Sequence, residues 1–284
     1  MSKLKIGFLD HHLNTSHSMT FLAQLRGCVG NGEIEITGAW ESHPEVNDWC
    51  ENNAVARMRN ADEVIAASDA IIVLAPNNPE AHLELARPAL EAGKPTFIDK
   101  SISDSVKSAR EIIRLSERHG APVMAASGLR FASELDALEE REPPPYDSVF
   151  ARGLGKWNGY GVHTITMALR MFGSKIVRVI DTGSDEARCV TLDDGQRRCV
   201  IDVRVSTNQY DATPWQVGAL VSGKYETATI TRFDQFYENL MRETVEFFRS
   251  GSSPISNEEM IMSVAVEKAA ELSLSEGGVW IELD

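Results

Sequence analysis

Basic residues are scarce in this chain. Lys and Arg number 28 against 42 Asp and Glu over 284 residues, a formal net charge of -14. So acidic a protein has no broad cationic face for a nucleic-acid backbone or an anionic membrane. No apolar run approaches the roughly 18 residues that a bilayer crossing needs. The N-terminus, MSKLKIGFLD, runs straight into a strand-like segment without an apolar leader or a small-residue cleavage site. The expectation is a cytoplasmic protein that engages neither nucleic acid nor membrane. The four cysteines, Cys28, Cys50, Cys189 and Cys199, form no C-x-x-C pair, which argues against a zinc ribbon or a redox dithiol. Cys189 and Cys199 stand symmetrically about Asp194, so a hairpin turn at Asp193-Asp194-Gly195 would set them face to face. Reduced thiols are the reading that a cytosolic compartment favours.

What is present describes a folded chain. The 43% apolar and 25% charged fractions are those of a globular protein able to bury a core, and the length suggests two domains. Through the first half, short apolar runs alternate with helical patterns. Strands are expected at Leu4–Leu9, Glu33–Ala39, Ala70–Ala75, Pro95–Ile98 and Ala121–Ala125. Helices are expected at about Ser18–Arg26, Pro79–Ala92 and Asp104–His119, the last two closed by Gly93 and Gly120. This spacing is that of βαβ units in a doubly wound parallel sheet, a Rossmann-like α/β domain over residues 1–127. Beyond the stiff Pro143-Pro144-Pro145 break, neighbouring strands separated by turns follow at Ser148–Leu154, Ile176–Asp181, Arg188–Leu192, Arg197–Val205, Gln216–Val221 and Tyr225–Ile230. Helices are expected at about Val162–Phe172, Phe233–Arg249 and Glu258–Glu276, and a last strand at Val279–Leu283. Residues 128–284 therefore read as an α+β domain with a mainly antiparallel sheet.

Open parallel sheets bind ligands beyond the carboxyl ends of their strands. After the first strand comes Asp10-His11-His12-Leu13-Asn14-Thr15-Ser16-His17, where a dinucleotide-binding protein normally carries G-x-G-x-x-G. The glycines are missing. Asn14, Thr15 and Ser16 still offer hydroxyl, amide and backbone donors at a helix N-terminus, an anion site by its dipole and free N–H groups; the same residues also suit plain N-capping. Glu41 follows the second strand, where an acid accepts hydrogen bonds from an adenosine ribose and disfavours a 2′-phosphate, so NAD is expected in preference to NADP. Asn77 follows the third strand and Lys100 the fourth. A desolvated lysine there can bond a substrate hydroxyl and lose its proton more easily, unless it merely pairs with Asp99 or Asp104. His163, at the start of a helix among glycines and aromatics, can act as an acid or base near neutral pH. Trp157 and Trp215 offer flat faces to a sugar ring or simply pack. His11, His12 and His17 lack the carboxylate or cysteine spacing of a metal site, so no metal is expected.

Two stretches carry a resemblance. PEAHLELARPALEAGKPTFIDKSIS resembles the segment leading to the Glu/Asp-Lys-Pro motif of the glucose–fructose oxidoreductase / inositol 2-dehydrogenase (Gfo/Idh/MocA-like) family, and GYGVHTITMALRMFG resembles that family's Gly-x-His helix. The KIGFLD start and the SEGGVWIEL close are similar too. The resemblance implies a Rossmann domain followed by an α+β domain whose open sheet serves oligomerisation, hence a homo-oligomer. It also implies NAD(P)-dependent oxidation or reduction of a hydroxyl on a sugar, polyol or related small molecule. By the same likeness Lys100 orients and helps deprotonate that hydroxyl, His163 is its acid/base or hydrogen-bond partner, Asn77 lies near the nicotinamide and Glu41 near the adenosine ribose. The chain departs from the pattern in its missing glycines, in Ser101 where the motif has proline, in Gly159 where an aspartate is common, and in its short length. Two other readings use the same residues: a relative that has lost productive cofactor binding and serves as a ligand-binding or interaction protein, and a lyase or isomerase without net redox change.

Overall fold

The computed structural model describes residues 3–27, 29–206 and 214–283; Cys28 lies outside them. The chain divides into two compact units, Met1–Ala126 with Tyr237–Met260, and Ser127–Phe236 with Ile261–Asp284. The chain thus leaves the first unit after Ala126 and returns to it for one later stretch.

The first unit is built on five parallel strands, β1 (Leu4–Asp10), β2 (Ile34–Glu41), β3 (Ala70–Val73), β4 (Thr96–Asp99) and β5 (Val123–Ala126), in the order β2-β1-β3-β4-β5. Ile6, Phe8, Ile71, Ile72, Phe97 and Ile98 are fully buried, as parallel strands covered on both faces require. This order reverses direction between β1 and β3, the point where doubly wound sheets open a crevice. The helices are α1 (Ser16–Arg26), α2 (Trp49–Asn52), α3 (Ala61–Ala67), α4 (His82–Glu91) and α5 (Val106–His119), joined by most of a later helix, α8 (Gln235–Ser250). Helix α1 starts two residues earlier than its apolar period suggests, because Thr15 and Ser18 close a reciprocal capping box. The expected helix from Pro79 breaks into a 3-10 turn, Pro79–Ala81, and α4. Helices α2 and α3 were not expected. At four and seven residues they are too short to display a period, and only their Asp48 and Asn60 caps mark them.

The second unit carries a seven-stranded sheet of β6 (Ser148–Leu154), β7 (Arg178–Asp181), β8 (Ala187–Asp193), β9 (Arg198–Arg204), β10 (Gln216–Val221), β11 (Lys224–Thr229) and β12 (Ile281–Glu282), ordered β11-β10-β6-β9-β8-β7-β12. All its pairs are antiparallel except β6 with β9. The unit also holds α6 (Ser133–Glu139), α7 (Trp157–Phe172) and α9 (Asn257–Ser275) from Ile261 onward. Helix α7 is interrupted near its start, where Asn158 and Gly159 leave helical geometry and Gly159 takes a φ of +88°, a conformation suited to glycine. The two cysteines of the β8–β9 hairpin do not face each other. The turn centres beyond Asp194, so Cys199 opposes Leu192 and Cys189 opposes Asp202. Cys199 is buried, Cys189 is exposed, and both are free thiols.

Candidate functional site

In the first unit the candidate residues gather at the carboxyl edge of the parallel sheet. Asp10 ends β1 at the reversal of strand order. Its Oδ1 accepts the His11 N–H (2.7 Å), the His12 N–H (3.2 Å) and the Ala75 N–H beyond β3 (2.8 Å). Its Oδ2 is buried with no partner among the described residues. Burial pushes this carboxyl up to about 8, against the three backbone donors and with a contribution from the charge of Asp99. The following loop lacks glycine but keeps open donors. Thr15 caps the Ser18 N–H at 3.2 Å, whereas among the described residues no bond is made to the Ser16 and His17 N–H groups of the first turn. Asn14 Nδ2 reaches Glu45 at 3.5 Å.

Glu41 ends β2 and pairs in register with Asp10. It is buried, and both oxygens are engaged: Oε2 accepts the Leu13 N–H at 2.7 Å and Oε1 accepts from Arg57 at 3.0 Å. Arg57 arrives because the backbone around it adds to the edge of β2, with Ala39 N donating to Ala56 O and Met58 N to Ala39 O, each at 2.9 Å. It also bonds Asp48 at 2.9 Å, which holds the Asp48 carboxyl below its usual range. His11, His12 and His43 cluster beside this edge, with ring centroids 4.0 to 5.8 Å apart. Burial, then the neighbouring His43 and His12, hold the His11 imidazole below its ordinary value. No set of His, Cys, Asp or Glu among the described residues is arranged to hold a metal.

Lys100 follows β4 in a left-handed conformation, φ +61°. Its N–H donates to Ala126 O at 3.1 Å and its Nζ to Pro76 O at 2.9 Å. That contact brings it to the loop carrying Asn77, so these two candidates share one corner of the site. Burial lowers the Lys100 pKa, with the charge of Asp99 opposing. Lys100 does not pair with Asp99. The buried Asp99 carboxylate instead accepts from His17 Nδ1 at 2.7 Å, and Tyr237 Oη lies 3.4 Å from His17 Nε2. His82 is buried between the carbonyls of Leu74 and Ser101, and burial lowers its pKa.

His163 belongs to the second unit. It is nearly buried on α7, with Nδ1 2.7 Å from Ser127 Oγ and the Trp215 and Tyr160 rings at 6.1 and 5.7 Å. The Ser127 bond orients the imidazole. Trp157 is a core residue: it is buried, donates from Nε1 to Glu267 O at 3.2 Å and stacks under Arg188 at 4.8 Å, so it offers no face to a sugar. Sequence reasoning passed over Asp10, Arg57 and Ser127 and left His17 without a role. An acid on the first loop position after a buried strand was the one readable sign of Asp10.

Residues 9–127 match the oxidoreductase family with NAD-binding Rossmann fold, Gfo/Idh/MocA. An Escherichia coli relative, the uncharacterized oxidoreductase YhhX, is 28% identical over 131 residues, which is 39% of this chain and 38% of that protein. A myo-inositol dehydrogenase from Corynebacterium glutamicum superposes with a TM-score of 0.79 at 16% identity, covering 99% of both chains. Scyllo-inositol dehydrogenase from Lactobacillus casei, solved with NAD(H) and scyllo-inositol, superposes with a TM-score of 0.80 at 12% identity, also covering 99% of both. At these identities the two structures share the fold. Nothing among these likenesses supports a non-catalytic role. No helix among the described residues is long and apolar enough to cross a membrane. The residues at this edge are compatible with a dinucleotide: two N–H groups at the start of α1 are open to an anion, and the Glu41 carboxylate ends β2 at the same sheet edge. Residues 9–127, with their parallel sheet reversing at β1, helix N-terminus with open donors and lysine after β4, are thus similar to the Gfo/Idh/MocA family of oxidoreductases with an NAD-binding Rossmann fold.

Proposed function

We propose that this protein is an NAD-dependent dehydrogenase acting on a hydroxyl of a sugar, polyol or related small molecule, with a cyclic polyol of the kind bound by the Lactobacillus casei enzyme as the first substrate to try. The observation that carries this reading is Lys100: its amine is desolvated and held on the Asn77 loop through Pro76 O. Desolvation raises the share of neutral amine, the form that accepts a proton. When bound, the nicotinamide supplies the two-electron hydride acceptor. The remaining work belongs to the chain. Lys100 Nζ takes the hydroxyl proton, Asn77 borders the nicotinamide end, and Asn14, Thr15 and Ser16 receive the pyrophosphate through backbone and hydroxyl donors; His163, in the second unit, is the acid/base or hydrogen-bond group that the resemblance implies. Glu41 receives the adenosine ribose, and its carboxylate supports NAD over NADP. We further propose that the protein works in the cytoplasm as a homo-oligomer, as its family resemblance implies.

Fluorescence titration with NADH and NADPH tests the cofactor assignment. Saturable binding with NADH the tighter ligand is expected, and no binding of either at millimolar concentration overturns it. Dehydrogenation assays over inositols and aldoses then identify the substrate.

A further inference from the structure

Asp10 occupies the reversal point of the parallel sheet, where a dinucleotide phosphate approaches the loop after β1. It lies within the proposed dinucleotide site, and any role it has toward the cofactor rests on that reading. The Asp10 carboxyl already uses the donors that such a loop offers an anion: the His11, His12 and Ala75 N–H groups all converge on Oδ1. Its Oδ2 is buried and unpartnered among the described residues, and the residue is 0% exposed. Among the described residues no cation bonds to it: Arg57 is taken by Glu41 and Asp48, Lys100 Nζ bonds Pro76 O, and His17 is committed to Asp99. The charged or titratable groups at this edge are His11 and His12 on its own loop, Glu41 opposite it on β2, Asp99 and Lys100 at β4, His17, which bonds Asp99, and His82, which bonds the Ala75 carbonyl. The charge of Asp99 opposes a negative charge on Asp10. An ionised Asp10 would add to it and set a further charge against the incoming phosphates.

We propose that this protein binds its dinucleotide only with Asp10 in the neutral acid form, so that Asp10 links cofactor binding to uptake of a proton and sets its alkaline limit. A neutral carboxyl has an O–H to donate, which gives the orphaned Oδ2 a role beside an anion that no carboxylate can play. Burial holds the free protein's Asp10 proton to about pH 8, so the effect falls within an accessible range. Above that value one proton must be recovered for each dinucleotide bound, and the apparent Kd rises about tenfold per pH unit.

The test is the NADH dissociation constant of the full chain from pH 6.5 to 9.5, in the wild type and in Asp10→Asn, with Asp10→Gly as a second variant should the amide fold poorly. The wild type is expected to weaken steeply above pH 8 and both variants to stay nearly flat, since Lys100 and the histidines are unchanged in them. Calorimetry at pH 9 in two buffers of different ionisation enthalpy should show about one proton taken up by the wild type. Carbon-13 NMR of the wild-type Asp10 carboxyl should show it protonated in the NADH complex at pH 8. Equal slopes in wild type and variants, a flat wild type, or an ionised Asp10 in the complex would overturn the inference and leave the dinucleotide assignment standing. Absence of NADH and NADPH binding in every variant at every pH would overturn both.

Discussion

The buried carboxylate of Asp99 is held by His17 Nδ1 at 2.7 Å, across from α1, and not by its sequence neighbour Lys100. The pairing keeps part of a negative charge away from the lysine amine, whose pKa is lowered by burial against the pull of Asp99. In His17→Ala that charge acts on Lys100 in full, so Lys100 holds its proton to higher pH. The acid limb of the kcat profile should move upward, because a base must be neutral to work. An unmoved limb would dissociate His17 from the lysine.

Lys100 can be removed in two ways that differ only in backbone. Both Lys100→Ala and Lys100→Gly delete the amine, and each should lower kcat by about 10²–10⁴-fold while leaving NADH affinity nearly intact. The glycine variant should be the more stable by about 1 kcal/mol, because the φ of +61° is open to it without a Cβ penalty. Thermal unfolding and steady-state kinetics on both variants check the two expectations separately, and undiminished turnover would remove Lys100 from the chemistry.

Asp10 makes the fold itself sensitive to pH. Its carboxyl is raised from 3.8 to about 8, so between those values the folded chain holds a proton that the unfolded chain has lost. Stability contributed here therefore falls as pH rises through that window and levels off above it. The difference in Tm between Asp10→Asn and wild type should shift in favour of the variant from pH 5 to pH 8. A difference independent of pH would mean that Asp10 is ionised in the fold.

Glu41 is both a loop anchor and the proposed ribose ligand, and two substitutions separate these. Glu41→Ala leaves the buried Leu13 N–H without an acceptor, at a cost of about 1–3 kcal/mol. Glu41→Gln keeps an acceptor and loses the charge, so it should unfold closer to wild type. If Glu41 meets the ribose, Glu41→Gln narrows the preference for NADH over NADPH. An unaltered ratio of the two dissociation constants would discard that role.

The parallel sheet could be read from residues because Ala70–Ala75 and its sister runs are apolar without alternation, as strands buried on both faces are. Helices α2 and α3 escaped because a turn or two shows no period, only a cap. The Cys189–Cys199 register escaped because the hairpin turn is set by the bond from Asp194 N to Arg197 O, which no periodicity reveals. At the edge of the sheet, the sequence placed Glu41 at the end of β2 and Lys100 at the end of β4. Their partners, Arg57 and Pro76 O, come from irregular segments, as His17, the partner of Asp99, comes from the first turn of α1. Asp10 escaped for a different reason: an acid after a strand ordinarily reads as a solvated charge, and only the convergence of three N–H groups on it shows otherwise.

The first compact unit is discontinuous, and this bears on its birth at the ribosome. Its five strands emerge first, yet Tyr237, which stands against His17 and Phe21 in that unit, is synthesised more than a hundred residues after β5 ends at Ala126. The half of the protein that starts folding first is therefore among the last to be finished. A gene fragment ending near Ala126 would leave Phe21 and its neighbours uncovered, so this unit cannot be shuffled between proteins as a contiguous cassette without carrying the Tyr237–Met260 stretch along.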